Sequence, residues 1–194
     1  MPDRPALPPI ILASASPRRR KLLAAAGVTI TVISADADET EIPGEDPAAM
    51  VERLAQVKAE AIAAAHPAAI VLGSDTTVHR GGVILGKPTD RADAIRMITM
   101  LAGQTHTVYT GVCLLRREPA HCELWHATTH VTFRPLSAAE IETYVDTARP
   151  YDKAGAYGYQ EDPGRHLVHH LDGLESTVIG LPVEDVLPRL ARFP

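Results

Sequence analysis

The residues with the clearest chemical potential are Ser14-Ala15-Ser16-Pro17-Arg18-Arg19-Arg20, where an apolar run gives way to small polar and then basic residues. Ser16 suits a helix N-cap and Pro17 a first helical position. Such a turn offers free backbone N–H groups at the positive end of a helix dipole, a ready anion site. Ser14 and Ser16 add hydroxyls, and Arg18 and Arg19 add planar forks that match phosphate oxygens. The competing reading is a solvated basic helix face extended by Arg20 and Lys21, because short motifs misfire often. Asp75 stands just beyond the apolar run Ile70–Gly73. Ligands of open α/β sheets sit beyond the carboxyl ends of strands, so a carboxylate there reads as functional; an Asx turn with Thr76 or Thr77 reads equally well. Asp36, Asp38 and Glu39 share one loop, which suits a hard divalent cation or a plain solvated segment. Lys58 shares a helical stripe with Val51, Leu54, Ala61 and Ala65. A lysine on an apolar seam snorkels to the edge, the commoner outcome, or turns inward to meet an anion.

Other motifs fail on their details. Gly81, Gly86 and Lys87 have the spacing of a P-loop, but Pro88 stands where a hydroxyl should bind Mg²⁺ and Val83-Ile84-Leu85 reads as a strand. Lys87 is kept only as a cation at a strand exit. Cys113, Cys122, His126 and His130 lack zinc-finger spacing, and the nine histidines define no further ligand set. No Gly-x-Ser-x-Gly elbow is present, which argues against a serine hydrolase.

The elements that must position these residues follow from pattern. Ile10–Ala13 predicts a short buried strand, and a helix from Pro17 to about Ala26 is stopped by Gly27. A strand over Val28–Ser34 and an acidic loop over Asp36–Glu45 precede a helix from Asp46-Pro47 to about His66. Ala69–Ser74 predicts a fully buried strand, Gly81-Gly82 a hairpin turn, and Asp90 caps a helix reaching Ala102. Strands over Thr105–Arg116 and Glu123–Arg134 turn near Pro119, and Ser137 with Glu140 forms a capping box for a helix to Ala148. A loop over Pro150–Tyr159, a hairpin over His166–Ile179 and a final helix from Pro182, with Pro188 as its kink, complete the chain. The class is α/β, with a mixed twisted sheet and flanking helices.

Composition bounds the rest. The 194 residues suffice for one substantial domain, 1–194, that buries roughly 70% of its unfolded surface. Two Phe, one Trp and five Tyr predict an aliphatic core. A net charge of −5 and few aromatics argue against nucleic acid as partner. Two cysteines form no disulfide framework, residues 1–9 carry no apolar run, and no stretch reaches membrane-spanning length. A cytoplasmic protein without membrane partners is expected.

Four segments in register resemble the Maf family of nucleoside triphosphate pyrophosphatases: Leu12–Arg19, Gly73-Ser74-Asp75-Thr76, Gly86-Lys87-Pro88 and Tyr151–Gln160, followed by Gly180-Leu181-Pro182. The resemblance implies two lobes around a central cleft, as in inosine triphosphatase-like folds, and a homodimer. It implies hydrolysis of dTTP and UTP to monophosphate and pyrophosphate with Mg²⁺ or Mn²⁺, a house-cleaning activity. Residue by residue, it assigns catalysis to Asp75, Glu39, Lys58 and Lys87, with Glu39 and Asp75 on the metal. It assigns substrate binding to Ser14, Ser16, Arg18, Arg19, Thr76 and Gln160, of which Arg18, Thr76 and Gln160 choose the base. Two alternatives are a nucleotide-binding regulator of septum formation without turnover and a pyrophosphatase for modified purine triphosphates. One departure stands out: Glu161-Asp162-Pro163-Gly164 follows Gln160 where the family continues with glycine.

Overall fold

A computed structural model describes residues 7–40 and 42–194. The reading of residues 1–6 as free of an apolar run, and Glu41 of the acidic loop, lie outside the described residues. In chain order the elements are β1 (Ile10–Leu12), α1 (Pro17–Ala25), β2 (Ile30–Val32), α2 (Pro47–Ala63), β3 (Ile70–Arg80) and β4 (Val83–Leu85). They continue with α3 (Arg91–Leu101), β5 (Thr105–Arg117), β6 (Ala120–Phe133), α4 (Ala138–Ala148), β7 (Val168–Asp172), α5 (Glu175–Ile179) and α6 (Val183–Ala191). The strands form one mixed sheet in the order β2-β1-β3-β5-β6-β7, with β4 paired to β3. β1 runs parallel to β2 and β3, whereas β4 and β7 pair antiparallel with β3 and β6.

The chain divides into two compact units, and β3, β5 and β6 each contribute residues to both. The first holds the described residues up to Asp75 together with Thr110–Ala127 and Gly180–Pro194. Its parallel strands are covered on both faces, as such strands require. Ile10, Leu12, Ile70 and Leu72 pack with Leu23 of α1 and with Leu181, Val186 and Leu190 around α6. The alternate residues Ile11, Ala13 and Val71 pack with Ala55, Ala59, Ile62 and Ala63 of α2. The buried stripe of α2 therefore runs through Val51, Leu54, Ala55, Lys58, Ala59 and Ile62, and Ala61 and Ala65 are exposed instead of sharing it. The helix also ends at Ala63, three residues before the expected His66.

The second unit holds Thr76–Tyr109 and Thr128–Ile179. Helices α3 and α4 pack together here, α4 opening with both halves of its capping box made by Ser137 and Glu140. Arg80 pairs with Val83 across Gly81-Gly82, both at positive φ, which is the two-residue hairpin turn expected. The core is mainly aliphatic in both units, with Phe193 joining it in the first. In the second, Phe133, Tyr144, Tyr157 and Tyr159 join the buried cluster, with Phe133 and Tyr157 edge-to-face at 4.9 Å. The hairpin expected over His166–Ile179 does not form: β7 pairs backwards with β6, and Glu175–Ile179 is a helical turn. Within that range Val168–Asp172 alone is a strand, followed by Gly173 at positive φ.

His106 is buried, with Nε2 2.9 Å from the Tyr157 hydroxyl and its ring edge-on to Phe133. Burial, aided by Arg80, pushes its pKa down to about 3. The unfolded chain takes up this proton below about pH 6.5 and the folded chain does not, so stability falls as pH falls. Between pH 6.5 and 4.5, above the carboxylate range, the loss should reach up to about 2.7 kcal/mol. Denaturant melts across that window should show the decline, and H106F should flatten the slope whatever its own stability. An equal slope in the variant would contradict this assignment.

Candidate functional site

The first unit brings together most of the residues singled out for chemistry. At the end of β1 the chain turns through Ser14 into α1, and Ser16 caps the helix by accepting from Arg19 N at 3.5 Å. Ser14 is buried, and its Oγ accepts from Ser16 N at 3.2 Å and from Arg19 Nη1 at 3.1 Å. Arg19 Nε donates to Gly180 O at 2.8 Å, and Ser74 Oγ to the same carbonyl at 3.3 Å. The guanidinium thus ties the start of α1 to the turn before α6. Desolvation lowers the pKa of Arg19, while the Asp75 and Glu39 carboxylates oppose that and nearby Arg18 adds to it. A plain solvated basic face does not describe Arg19, which is half-buried in this network, as is Arg18 by exposure; Arg20 and Lys21 do face solvent.

Asp75 is not at a strand end. β3 continues to Arg80, so Asp75 lies mid-strand, and both the strand-end argument and the Asx turn with Thr76 or Thr77 are corrected. An apolar run shows where a strand is buried on both faces, and β3 goes on through polar residues that hold the same extended pairing. In that extension Gly73 and Asp75 share the face toward α2, and Ser74 points to the other, toward Gly180.

Lys58 meets Asp75 across that face. Its Nζ lies 2.6 Å from Asp75 Oδ1 and 2.8 Å from Glu39 Oε2, with the lysine side chain only 10% exposed. It does not snorkel. An ammonium this enclosed needs partners, since breaking such a pair leaves a buried charge at a cost of about 3–5 kcal/mol. Arg53 of α2 secures the loop just after Glu39. Arg53 Nη2 donates to Thr40 O, and its fork grips Glu45 at 2.6 and 2.7 Å, which holds the Glu45 carboxyl below its usual range. Asp38 is turned locally onto Thr40, whose hydroxyl and N–H bonds lower its pKa. The loop's three carboxylates therefore do not converge, and among the described residues no group of three or more acidic, His or Cys side chains is placed to hold a metal ion. What converges is one exposed and one enclosed carboxylate, a donor set that fits Mg²⁺ completed by water and phosphate oxygens.

Thr76, Lys87 and Gln160 belong to the second unit. Thr76 is half-buried on β3 and Lys87 is exposed just after β4. Gln160 is exposed, and its Nε2 donates to Glu161 Oε1 at 3.0 Å. Sequence reasoning passed over Lys153, whose buried ammonium sits 2.8 Å from Asp152 and 3.1 Å from Glu161. It also passed over the Gly180 carbonyl. A lysine inside a run of small residues was the available signal for the first; a backbone oxygen leaves none.

The arrangement is that of an α/β protein with a cationic helix start beside a lysine-bridged carboxylate pair. Comparison with known proteins narrows it: the family model for Maf-like proteins matches residues 9–193, across both units. Among curated relatives, a Myxococcus xanthus protein named dTTP/UTP pyrophosphatase is 48% identical over 94% of this chain and 91% of its own length. Proteins of the same name from Moorella thermoacetica and Geobacter sulfurreducens are 48% and 45% identical over 95% of this chain, and over 94% and 96% of their own lengths. The chain belongs to the Maf family.

The helix bearing Lys58 lies against two glycines. A Cβ on Gly73 would stand 2.1 Å from Ala55 O and 2.8 Å from Ala59 N, and one on Gly111 would stand 2.1 Å from Val51 O. G73A should therefore push α2, and Lys58 with it, away from Asp75. Overpacking costs about 1–3 kcal/mol, and the upper end is expected because backbone is what the methyl meets. Denaturant unfolding measures it, and unchanged stability would show that the approach of helix to strand is not tight.

Proposed function

We infer that this chain hydrolyses nucleoside triphosphates, dTTP and UTP foremost, to the nucleoside monophosphate and pyrophosphate. The observation that carries the reading is the Lys58 ammonium held between Asp75 and Glu39 in the same unit as the Arg19-anchored start of α1. The names borne by relatives at 45–48% identity support the same substrates.

Phosphoryl chemistry asks little covalent help of a protein, and positioning with charge stabilisation supplies most of the rate. Ser14, Ser16, Arg18, Arg19 and the N–H groups opening α1 bind the phosphates. Asp75, aided by Glu39, takes the proton from a water as its oxygen bonds the α-phosphorus, and the bond to the pyrophosphate oxygen breaks. Lys58 orients both carboxylates and offsets the charge gathering on the phosphate. A divalent cation, Mg²⁺ or Mn²⁺, is assigned to Glu39 and Asp75, where it would polarise the phosphate and offset the repulsion between substrate and carboxylates. Thr76, Arg18 and Gln160 are the assigned readers of the base.

Among the described residues no helix is long and apolar enough to cross a membrane. A cytoplasmic homodimer without nucleic-acid or membrane partners completes the reading, resting on the acidic charge, the sparse cysteines and the family's habit.

Product analysis of the purified protein on a panel of nucleotides with Mg²⁺ should show pyrophosphate and monophosphate, fastest from dTTP and UTP. Inorganic phosphate with a diphosphate would contradict the reaction, and full activity after exhaustive chelation would contradict the metal. D75N retains strand geometry and leaves Lys58 paired with Glu39, so circular dichroism should be unchanged while kcat falls at least about 100-fold. Near-normal turnover would remove Asp75 from the chemistry.

A further inference from the structure

The structure places Glu161 in contact with Gln160, the assigned base reader. Glu161 Oε1 accepts from Gln160 Nε2 at 3.0 Å, and Glu161 Oε2 lies 3.1 Å from Lys153 Nζ. Lys153 is 10% exposed at its side chain and 2.8 Å from Asp152, so a nearly enclosed ammonium holds a half-exposed carboxylate. Gly158 leaves the space: a Cβ there would stand 2.7 Å from Lys153 Cε and 3.2 Å from Glu161 Oε2.

We propose that Glu161, held by Lys153, is a positioning residue that fixes the rotamer of the Gln160 amide and so discriminates uracil and thymine from cytosine. An ionised carboxylate only accepts, so the NH₂ of Gln160 must face it. With one N–H committed, the amide keeps Oε1 and its second N–H side by side in a fixed order. That pair complements the N3–H donor and O4 acceptor of thymine and uracil. Cytosine presents the reverse order, a donor at N4 and an acceptor at N3. Turning the amide over to follow it would bring Oε1 against Glu161 Oε1, two acceptors with no proton between them. The discrimination thus comes from a repulsive contact built against the wrong base, the usual route to specificity between near-isosteres. Both side chains are partly exposed, so solvent screening keeps the effect moderate.

The inference rests on the pyrophosphatase reading and on Gln160 contacting the base. The test is the ratio of kcat/KM for UTP over CTP, with dTTP over dCTP in parallel, in the wild type, E161Q, Q160L and the double variant. E161Q is isosteric and its amide can either donate or accept, so Gln160 is free to turn. The ratio should fall about tenfold while kcat for UTP stays within about threefold. Q160L should lower the ratio as well, and adding E161Q to it should change nothing further, because the two act as one device. E161A repeats the comparison should E161Q fail to fold. A ratio within about twofold of wild type in E161Q overturns the proposal, as does a further fall in the Q160L background. A wild-type preference for GTP that E161Q abolishes also overturns it, making Glu161 itself the reader. A wild type that releases no pyrophosphate fails the underlying reading instead. Equilibrium binding of UTP and CTP to the same four proteins then decides the clamp by the same ratio.

Discussion

An ammonium shared by two carboxylates is the constraint on which the rest depends. Lys58 is carried into the protein on the apolar face of α2, where an unpaired charge would be prohibitive, and Asp75 and Glu39 at 2.6 and 2.8 Å make it tenable. Replacing the triad by hydrophobic side chains would serve stability at least as well. Its presence is therefore better explained by what a clustered cation and two oxygen bases can do than by what they contribute to folding.

Several local features exist to bring those three groups together. Gly73 lets α2 settle onto β3 at Ala55 and Ala59, which puts Lys58 between those contacts and Asp75 two residues along the same strand face. Arg53, one turn and a half earlier on α2, secures the loop that delivers Glu39. On the other face of β3, Ser74 shares the Gly180 carbonyl with Arg19 and fixes the guanidinium whose charge Asp75 and Glu39 help to sustain. One strand thereby faces the carboxylate–lysine cluster toward α2 and the Arg19 network toward α1.

Much of this was legible in the residues. Caps at Ser16, Asp46, Asp90 and Ser137 marked four helix starts because side-chain oxygens there satisfy amides that nothing else reaches. The chemical residues were legible because charges on apolar stripes are rare, and because four segments stood in a familiar order. The extent of β3 was not, since burial on both faces ends before the strand does. Neither was the helix at Glu175–Ile179: five residues with β-branched members carry no decisive period, and tertiary packing chose between two short structures. Both partners of Lys58 lie 17 or more residues from it, and Glu161 lies eight from Lys153, distances at which pattern says nothing about contact.

The central claim is that these residues direct water onto the α-phosphorus of a nucleoside triphosphate. Isotope placement tests it without reference to any variant. Hydrolysis of dTTP in ¹⁸O-enriched water, followed by mass spectrometry of both products, locates the bond that breaks. Attack at the α-phosphorus puts one ¹⁸O in the monophosphate and leaves pyrophosphate unlabelled. Label in pyrophosphate, with the monophosphate unlabelled, would mean that water attacks the β-phosphorus and that the assignment of Asp75, Glu39 and Lys58 to the α-position is wrong.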